Sequence, residues 1–353
     1  MHRRQVMAEK GFGIIGLGMI SEFHASAIEH MDNARLVAGF DPVPGRAEAF
    51  GKKHNCRGYD KLEDFLKDPE LEIVTIATPS GLHMDGAIAA ANAKKHVIVE
   101  KPLDVTPEKC QAIVDACKRN NVLLSGVFPS RYHEVSKLIK DAVDKGRFGK
   151  IAFADAQIKW YRTQEYYDSG AWRGTWKMDG GGCLMNQGIH AVDLLQWFMG
   201  PVEEVSAYMN TVGHERIEVE DTAAVTLKFA CGAVGTIEGT TCAYPGFMKR
   251  IEIMGMNGTA VMEEESLVKW EFADETEEDR IIREKYCDST KTGGGVADPK
   301  AIGFHGHQWL FEAFLKALEN GTEPEVSGES ASKSVQIICA AYESARSGHP
   351  VKL

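Results

Sequence analysis

The chain has 353 residues, 44% of them apolar and 26% charged, with a formal net charge of −11. That length suits two domains rather than one, and the composition is that of a well-hydrated globular protein with material for a large core. The acidic balance disfavours nucleic acid and anionic membrane surfaces as partners, and no apolar run reaches membrane-spanning length.

The opening residues MHRRQVMAEK lack the apolar core of a secretory signal. Eight cysteines, Cys56, Cys110, Cys117, Cys183, Cys231, Cys242, Cys287 and Cys339, are scattered with no C-x-x-C pair. They predict reduced, mostly buried thiols and a cytoplasmic location.

From residue 12 to 126 short apolar runs alternate with helical patterns. Strands are expected at Phe12–Ile15, Arg35–Phe40, Ile73–Ala77, His96–Val99 and Val122–Gly126. Between them fall helices at Met19–His30, Gly45–His54, Leu62–Leu66, Gly81–Ala93 and Pro107–Asn120, the last with proline at its first position behind Thr106. This alternation predicts an α/β Rossmann domain over residues 1–126, a doubly wound parallel sheet covered on both faces.

After Gly126 the pattern changes. A helix at Ser130–Lys145 leads into the alternating stretch Ile151–Tyr161, then aromatic loops, then a helix at Cys183–Met199 stopped by Gly200-Pro201. Long strands follow at Glu204–Val212, Thr222–Phe229, Ala233–Thr241 and Arg250–Met254, and helices at Phe304–Glu319 and Glu329–Ser347 close the chain. The expectation is a second, α+β domain over residues 127–353 with an open, mainly antiparallel sheet, its last helix free to pack back on the first domain. The acidic run Glu263–Glu265 and the stretch Asp274–Asp279 read as solvated loop or strand edge. The polar segment Cys287–Gly303 reads as a flap.

The stretch GFGIIGLGMIS holds two glycine frames. Gly11-x-Gly13-x-x-Gly16 matches the dinucleotide fingerprint by letter, but a poor strand precedes it. Gly16-x-Gly18-x-x-Ser21 follows an apolar strand and opens a helix, so this frame is the phosphate loop, with Met19 and Ile20 at the helix start. Asp41 ends the next strand 23 residues beyond Gly18, where a carboxylate holds the adenosine ribose. Its charge favours NAD over NADP, although Arg46 lies nearby.

Further residues stand at strand ends, where ligands bind in parallel sheets: Thr78-Pro79, His83 shortly after, and Glu100-Lys101-Pro102. The stretch MDGGGCLMNQGIHAVDLLQW sets Asn186 and His190 four apart, and Asp193 three further on. Before it, Trp160, Tyr161, Tyr166, Tyr167, Trp172 and Trp176 crowd one region with Arg162 and Arg173, a combination suited to sugar faces and anionic groups. Trp172 and Arg173 are expected to line the substrate pocket. His305 and His307 open a late helix. Their spacing fits no zinc pattern, so no metal is expected and His307 is a substrate hydrogen-bond candidate.

Taken together, GLGMIS, FDP, TPSGLH, EKPL, DGGGCLMNQGIHAVDLL and SGESASKSVQIICAAYESARSG resemble the Gfo/Idh/MocA family of oxidoreductases over nearly the full chain. The resemblance implies an NAD-dependent dehydrogenase acting on a secondary alcohol of a sugar, sugar derivative or cyclitol. It also implies a homodimer or homotetramer formed through the C-terminal sheet. Lys101 then lies near the nicotinamide and the reacting hydroxyl as base or proton relay, and Glu100 binds a cofactor ribose or orients the lysine. His190 contacts the reacting oxygen or is itself the base. Family members commonly carry aspartate four before that histidine. This chain carries Asn186, which forms hydrogen bonds but takes up no proton. Two rivals share the same residues: a redox-neutral, NAD-dependent glycoside cleavage, and a non-catalytic NAD sensor or scaffold.

Overall fold

The computed structural model describes residues 9–287 and 303–353. The expected flap therefore falls almost wholly outside the described residues. The described chain forms two compact units. The first takes the described chain to Asp104, Glu108–Pro129 and Gly303–Ser332; the second takes Val105–Pro107, the described residues from Ser130 to Cys287, and Lys333–Leu353.

The first unit is built on six parallel strands: β1 (Lys10–Ile15), β2 (Ala34–Phe40), β3 (Arg57–Tyr59), β4 (Ile73–Ile76), β5 (His96–Val99) and β6 (Leu124–Gly126). All four residues of β4 are buried, as they must be in a sheet with helices on both faces. The helices are α1 (Met19–Glu29), α2 (Arg46–His54), α3 (Leu62–Leu66), α4 (His83–Asn92) and α5 (Pro107–Asn120). The strand order is β3-β2-β1-β4-β5-β6. Order reverses between β1 and β4, so the loop after β1 opens at the switch point where such sheets bind ligands.

The second unit starts with α6 (Glu134–Asp144) and β7 (Ile151–Lys159), then α7 (Gln164–Asp168). A π-helical turn, Cys183–Gly188, runs directly into α8 (Ile189–Met199), which packs on β7. The single regular helix expected over Cys183–Met199 thus carries a wider first turn. Strands β8 (Val202–Asn210), β9 (Thr222–Phe229), β10 (Val234–Thr240), β11 (Arg250–Gly255), β12 (Gly258–Glu263) and β13 (Ser266–Phe272) follow, then α9 (Glu277–Tyr286). Helix α10 (His305–Asn320) belongs to the first unit; α11 (Gly328–Ser347) and the short β14 (Val351–Lys352) end the chain. The eight-stranded sheet has the order β13-β12-β11-β7-β10-β9-β8-β14, with β7 and β10 parallel and the other pairs antiparallel. Burial alternates strictly along most of β9, the signature of a sheet covered on one face.

The acidic stretch near residue 279 departs from its expected solvated state. Asp279 is fully buried. It caps α9 together with Thr276, accepts from Arg147 at 2.9 and 3.0 Å, and accepts the Trp270 indole N–H at 2.8 Å. Arg147 neutralises a charge that composition alone assigns to solvent. Among the described residues no helix is long and apolar enough to cross a membrane.

Candidate active site

The two glycine frames separate cleanly in three dimensions. Gly11 and Gly13 lie inside β1, and a Cβ on Gly11 would sit 1.8 Å from the Glu70 carbonyl oxygen, so these are packing glycines. Gly16 ends the strand with φ +90°, and a Cβ there would lie 2.7 Å from the Thr78 backbone nitrogen. Gly18 is extended, caps α1 without any side-chain acceptor, and a Cβ on it would meet nothing within 4 Å. The helix start therefore keeps first-turn N–H groups beside open space, the arrangement that takes a pyrophosphate. Ser21 is fully buried and its hydroxyl donates back to the Gly18 carbonyl at 2.6 Å. Met19 is 46% exposed at this mouth, with Ile20 half-buried behind it.

Asp41 is 4% exposed and fastens the loop from the next strand. One oxygen accepts the Leu17 N–H at 3.0 Å and the Arg46 guanidinium at 3.1 Å; the other accepts the Val43 N–H at 2.9 Å. On the β4 side, Thr78 and Pro79 are half-buried, and the buried Thr78 hydroxyl has no hydrogen-bond partner among the described residues. An uncapped helix start, a side-chain-free approach at Gly18, a braced acid at the end of β2 and an orphaned hydroxyl on the facing strand fit a bound dinucleotide.

Lys101 follows β5 and is held through its neighbours. Its backbone N–H donates to the Glu100 carboxylate at 3.0 Å. Glu100 is 5% exposed, and its other oxygen accepts from His24 at 2.9 Å and from His307 at 3.1 Å. Burial on its own would raise the Glu100 pKa, but the two imidazole donors outweigh it and hold the carboxyl well below the usual carboxylate range. Burial pushes His24 the other way, downward, so it serves as a neutral donor whose second nitrogen meets the Thr75 hydroxyl at 3.1 Å. Just past Lys101, the Pro102 carbonyl lies 2.8 Å from one nitrogen of His83, whose other nitrogen is 2.9 Å from the Thr78 carbonyl. Glu100 is seated to orient the lysine, one of the two parts expected of it. His83 and His307, expected at the cofactor and the substrate, are buried and bonded to the segment around Lys101 and to the loop after β4. Sequence reading missed His24 because its partner is 76 positions away.

In the second unit, Gly182 begins the π turn where a Cβ would sit 1.7 Å from the Glu220 carbonyl oxygen. The buried Glu220 carboxylate accepts the Gly182 and Leu184 N–H groups at 2.9 and 3.0 Å and the Tyr342 hydroxyl at 2.9 Å. Glu220 is a second residue that sequence reading missed. Asn186 lies within the turn and His190 is the second residue of α8; both are half-buried. Asp193, expected at the substrate, is instead a core residue. It is fully buried, and Arg131 takes both its oxygens at 2.8 and 2.5 Å.

The aromatic region forms a cation-bearing cluster. Arg173 donates to the Tyr166 hydroxyl at 2.8 Å and stacks over the Trp172 and Tyr166 rings at 4.5 Å. Gln187 reaches the same hydroxyl at 3.0 Å. Arg162, 6% exposed, lies over Trp160 at 5.1 Å and Tyr166 at 5.5 Å. Two groups of metal-capable side chains occur among the described residues, His24–Glu100–His307 and His214–Asp221–Cys242. Hydrogen bonding accounts for each. In the second, Asp221 and Cys242 both approach the same imidazole nitrogen, at 3.0 and 3.7 Å.

Residues 10–128 match the profile of an oxidoreductase family with an NAD-binding Rossmann fold, and residues 136–261 match a GFO/IDH/MocA C-terminal domain. The chain is similar to the WlbA dehydrogenase of Bordetella pertussis, whose crystal structure holds NADH and UDP-GlcNAcA, at 36% identity over 98% of both chains with a TM-score of 0.88. It is 28% identical to the myo-inositol 2-dehydrogenase of Thermotoga maritima over 97% of this chain and 98% of the other. It is also 28% identical to the levoglucosan dehydrogenase of Pseudarthrobacter phenanthrenivorans, over 89% and 90%.

Proposed function

This chain belongs to the Gfo/Idh/MocA family of NAD-binding oxidoreductases, and we propose that its substrate is a nucleotide-activated sugar acid oxidised at a secondary hydroxyl. It is an NAD-dependent dehydrogenase acting on CH–OH groups. When bound, NAD accepts the hydride from the carbinol carbon. In this reading Lys101 takes the hydroxyl proton, His190 hydrogen-bonds the reacting oxygen, and Asn186 meets a substrate hydroxyl without exchanging a proton. The loop from Gly16 to Ser21 holds the pyrophosphate and Asp41 the adenosine ribose.

The likeness over the whole chain to a dehydrogenase held with UDP-GlcNAcA carries the substrate class. The cluster of Arg162, Tyr166, Trp172 and Arg173 agrees with it. Guanidinium groups seated among aromatic faces suit a ligand that is anionic and also presents sugar C–H surfaces. An uncharged cyclitol makes no use of two such cations.

The test is direct. Purified protein receives NAD with UDP-GlcNAcA, myo-inositol or levoglucosan, and formation of reduced nicotinamide is followed. UDP-GlcNAcA is expected to be oxidised with the highest kcat/KM. Lys101→Met is expected to lower kcat by about 10²–10⁴-fold with NADH affinity within about twofold of wild type. Turnover of either uncharged substrate with none of UDP-GlcNAcA would overturn the substrate class. Equal rates for wild type and Lys101→Met would remove the base.

A further inference from the structure

Where the family pattern has aspartate this chain has Asn186, and the structure brings a carboxylate to it from another position. Asp179 is 2% exposed. One of its oxygens accepts the Asn186 side-chain amide; the other accepts the Gly174 N–H at 2.9 Å. Its own N–H donates to the Thr175 carbonyl at 3.0 Å. Each carboxylate oxygen thus serves a segment already implicated in substrate binding. Gly174 follows Trp172 and Arg173 directly, in a turn so tight that a Cβ would lie 2.7 Å from the Ile217 side chain.

A carboxylate only accepts, so the NH₂ end of the Asn186 amide faces Asp179 and its carbonyl oxygen occupies the other branch of the same planar group. We infer that Asp179 is a positioning residue of the substrate half of the site, fixing the orientation of the Asn186 amide with its NH₂ end toward the carboxylate and tying that amide to the Trp172–Gly174 turn. The inference rests on the function proposed above, in which Asn186 meets a substrate hydroxyl. An acceptor held in this way takes a hydrogen bond from a hydroxyl and discriminates against a substrate that presents an ether or carbonyl oxygen there. A buried donor or acceptor left without its partner is what makes such discrimination strong.

The pair lends itself to an exchange. Asp179→Asn alone sets an NH₂ group against either the Gly174 N–H or the Asn186 amide, both of which donate to the carboxylate in wild type. The double variant Asp179→Asn with Asn186→Asp restores both bonds with roles reversed: the amide at 179 accepts from Gly174 and donates to the carboxylate at 186. For oxidation of UDP-GlcNAcA, Asp179→Asn is expected to lower kcat/KM at least tenfold while NADH affinity stays within twofold. The double variant is expected to regain most of the thermal stability lost in the single one. Its kcat/KM should fall at acid pH along a limb absent from wild type, because the group at 186 now titrates. A role confined to folding would lower the melting temperature of Asp179→Asn and leave KM and the pH profile unmoved, and that result overturns the inference. So does a double variant no more stable than the two single changes summed. Were wild type to oxidise none of the alcohols offered, the proposed function would fall, and the melting-temperature arm would still decide whether Asp179 and Asn186 act as a pair.

Discussion

His214 sits between two acceptors. One ring nitrogen meets the Asp221 carboxylate at 3.0 Å, the other the Arg162 carbonyl at 2.9 Å, and the side chain is 5% exposed. Only an imidazolium donates to both. The hydrogen bond that His214 donates to Asp221 raises the His214 pKa against the opposing effect of burial, and Asp221, which also accepts from three backbone N–H groups, is lowered well below the carboxylate range. The sign follows from linkage. A folded pKa raised above the unfolded one stabilises fully below the ordinary imidazole value, and that stabilisation is lost as pH rises through the folded value. His214→Ala is therefore expected to cost roughly 1–2 kcal/mol at pH 5, in line with a charge-assisted bond, and clearly less at pH 9. Urea unfolding at the two pH values reads this, and an equal loss at both would show that the ring acts by packing alone. Neither His214 nor its role stood out in the sequence, for its partners are 7 and 52 positions away and no motif joins them.

The loop from β1 into α1 was legible because its constraints are local. Gly16 and Gly18 lie two residues apart and the structure gives them different work, which predicts different failures. Gly16→Ala meets both a left-handed backbone and the Thr78 nitrogen, so it is expected to lose roughly 1–3 kcal/mol of stability and NADH affinity together. Gly18→Ala has open space around it and is expected to hold stability within about 0.5 kcal/mol while weakening NADH binding at least tenfold. Chemical denaturation beside NADH titration separates the two, and a Gly18→Ala protein that binds NADH normally would remove this residue from the phosphate site. The π turn at Cys183–Gly188 was not legible. Its apolar spacing passes for ordinary helix, and what starts it is Glu220, pinned to the Gly182 and Leu184 N–H groups from a later strand boundary. The acidic run at 263–265 lies where it was expected, at a strand edge and in the turn beyond it. Glu263 ends β12, and Glu264, at φ +49°, turns the chain into β13.

Toward its β14 end, the eight-stranded sheet carries exposed side chains on one face, among the described residues. Ala224, Thr226 and Lys228 of β9 are exposed along it, and Tyr208 of β8, paired opposite Ala224, is 86% exposed. The resemblance to the family implies a homo-oligomer formed through this sheet, and an exposed sheet face is a surface such an assembly would cover. Ala224→Arg is expected to reduce the mass seen by light scattering from a multiple of 38.8 kDa to the single-chain value, with secondary structure unchanged. Wild type already at the single-chain mass would end that expectation.

The sequence by itself determined the Rossmann sheet, the open second sheet, the glycine turn from β1 into α1, and the strand-end positions of Asp41 and Lys101, because each is written in short-range periodicity or in residues a few positions apart. Only the tertiary structure decided which buried side chains hold that machinery in place. It joined Glu100 to His24 and His307, Asp193 to Arg131, and Asn186 to Asp179. A buried charge or amide must find its partner wherever the packed chain brings one, and for these groups the partner lies 7 to 207 residues away, beyond the reach of any local pattern.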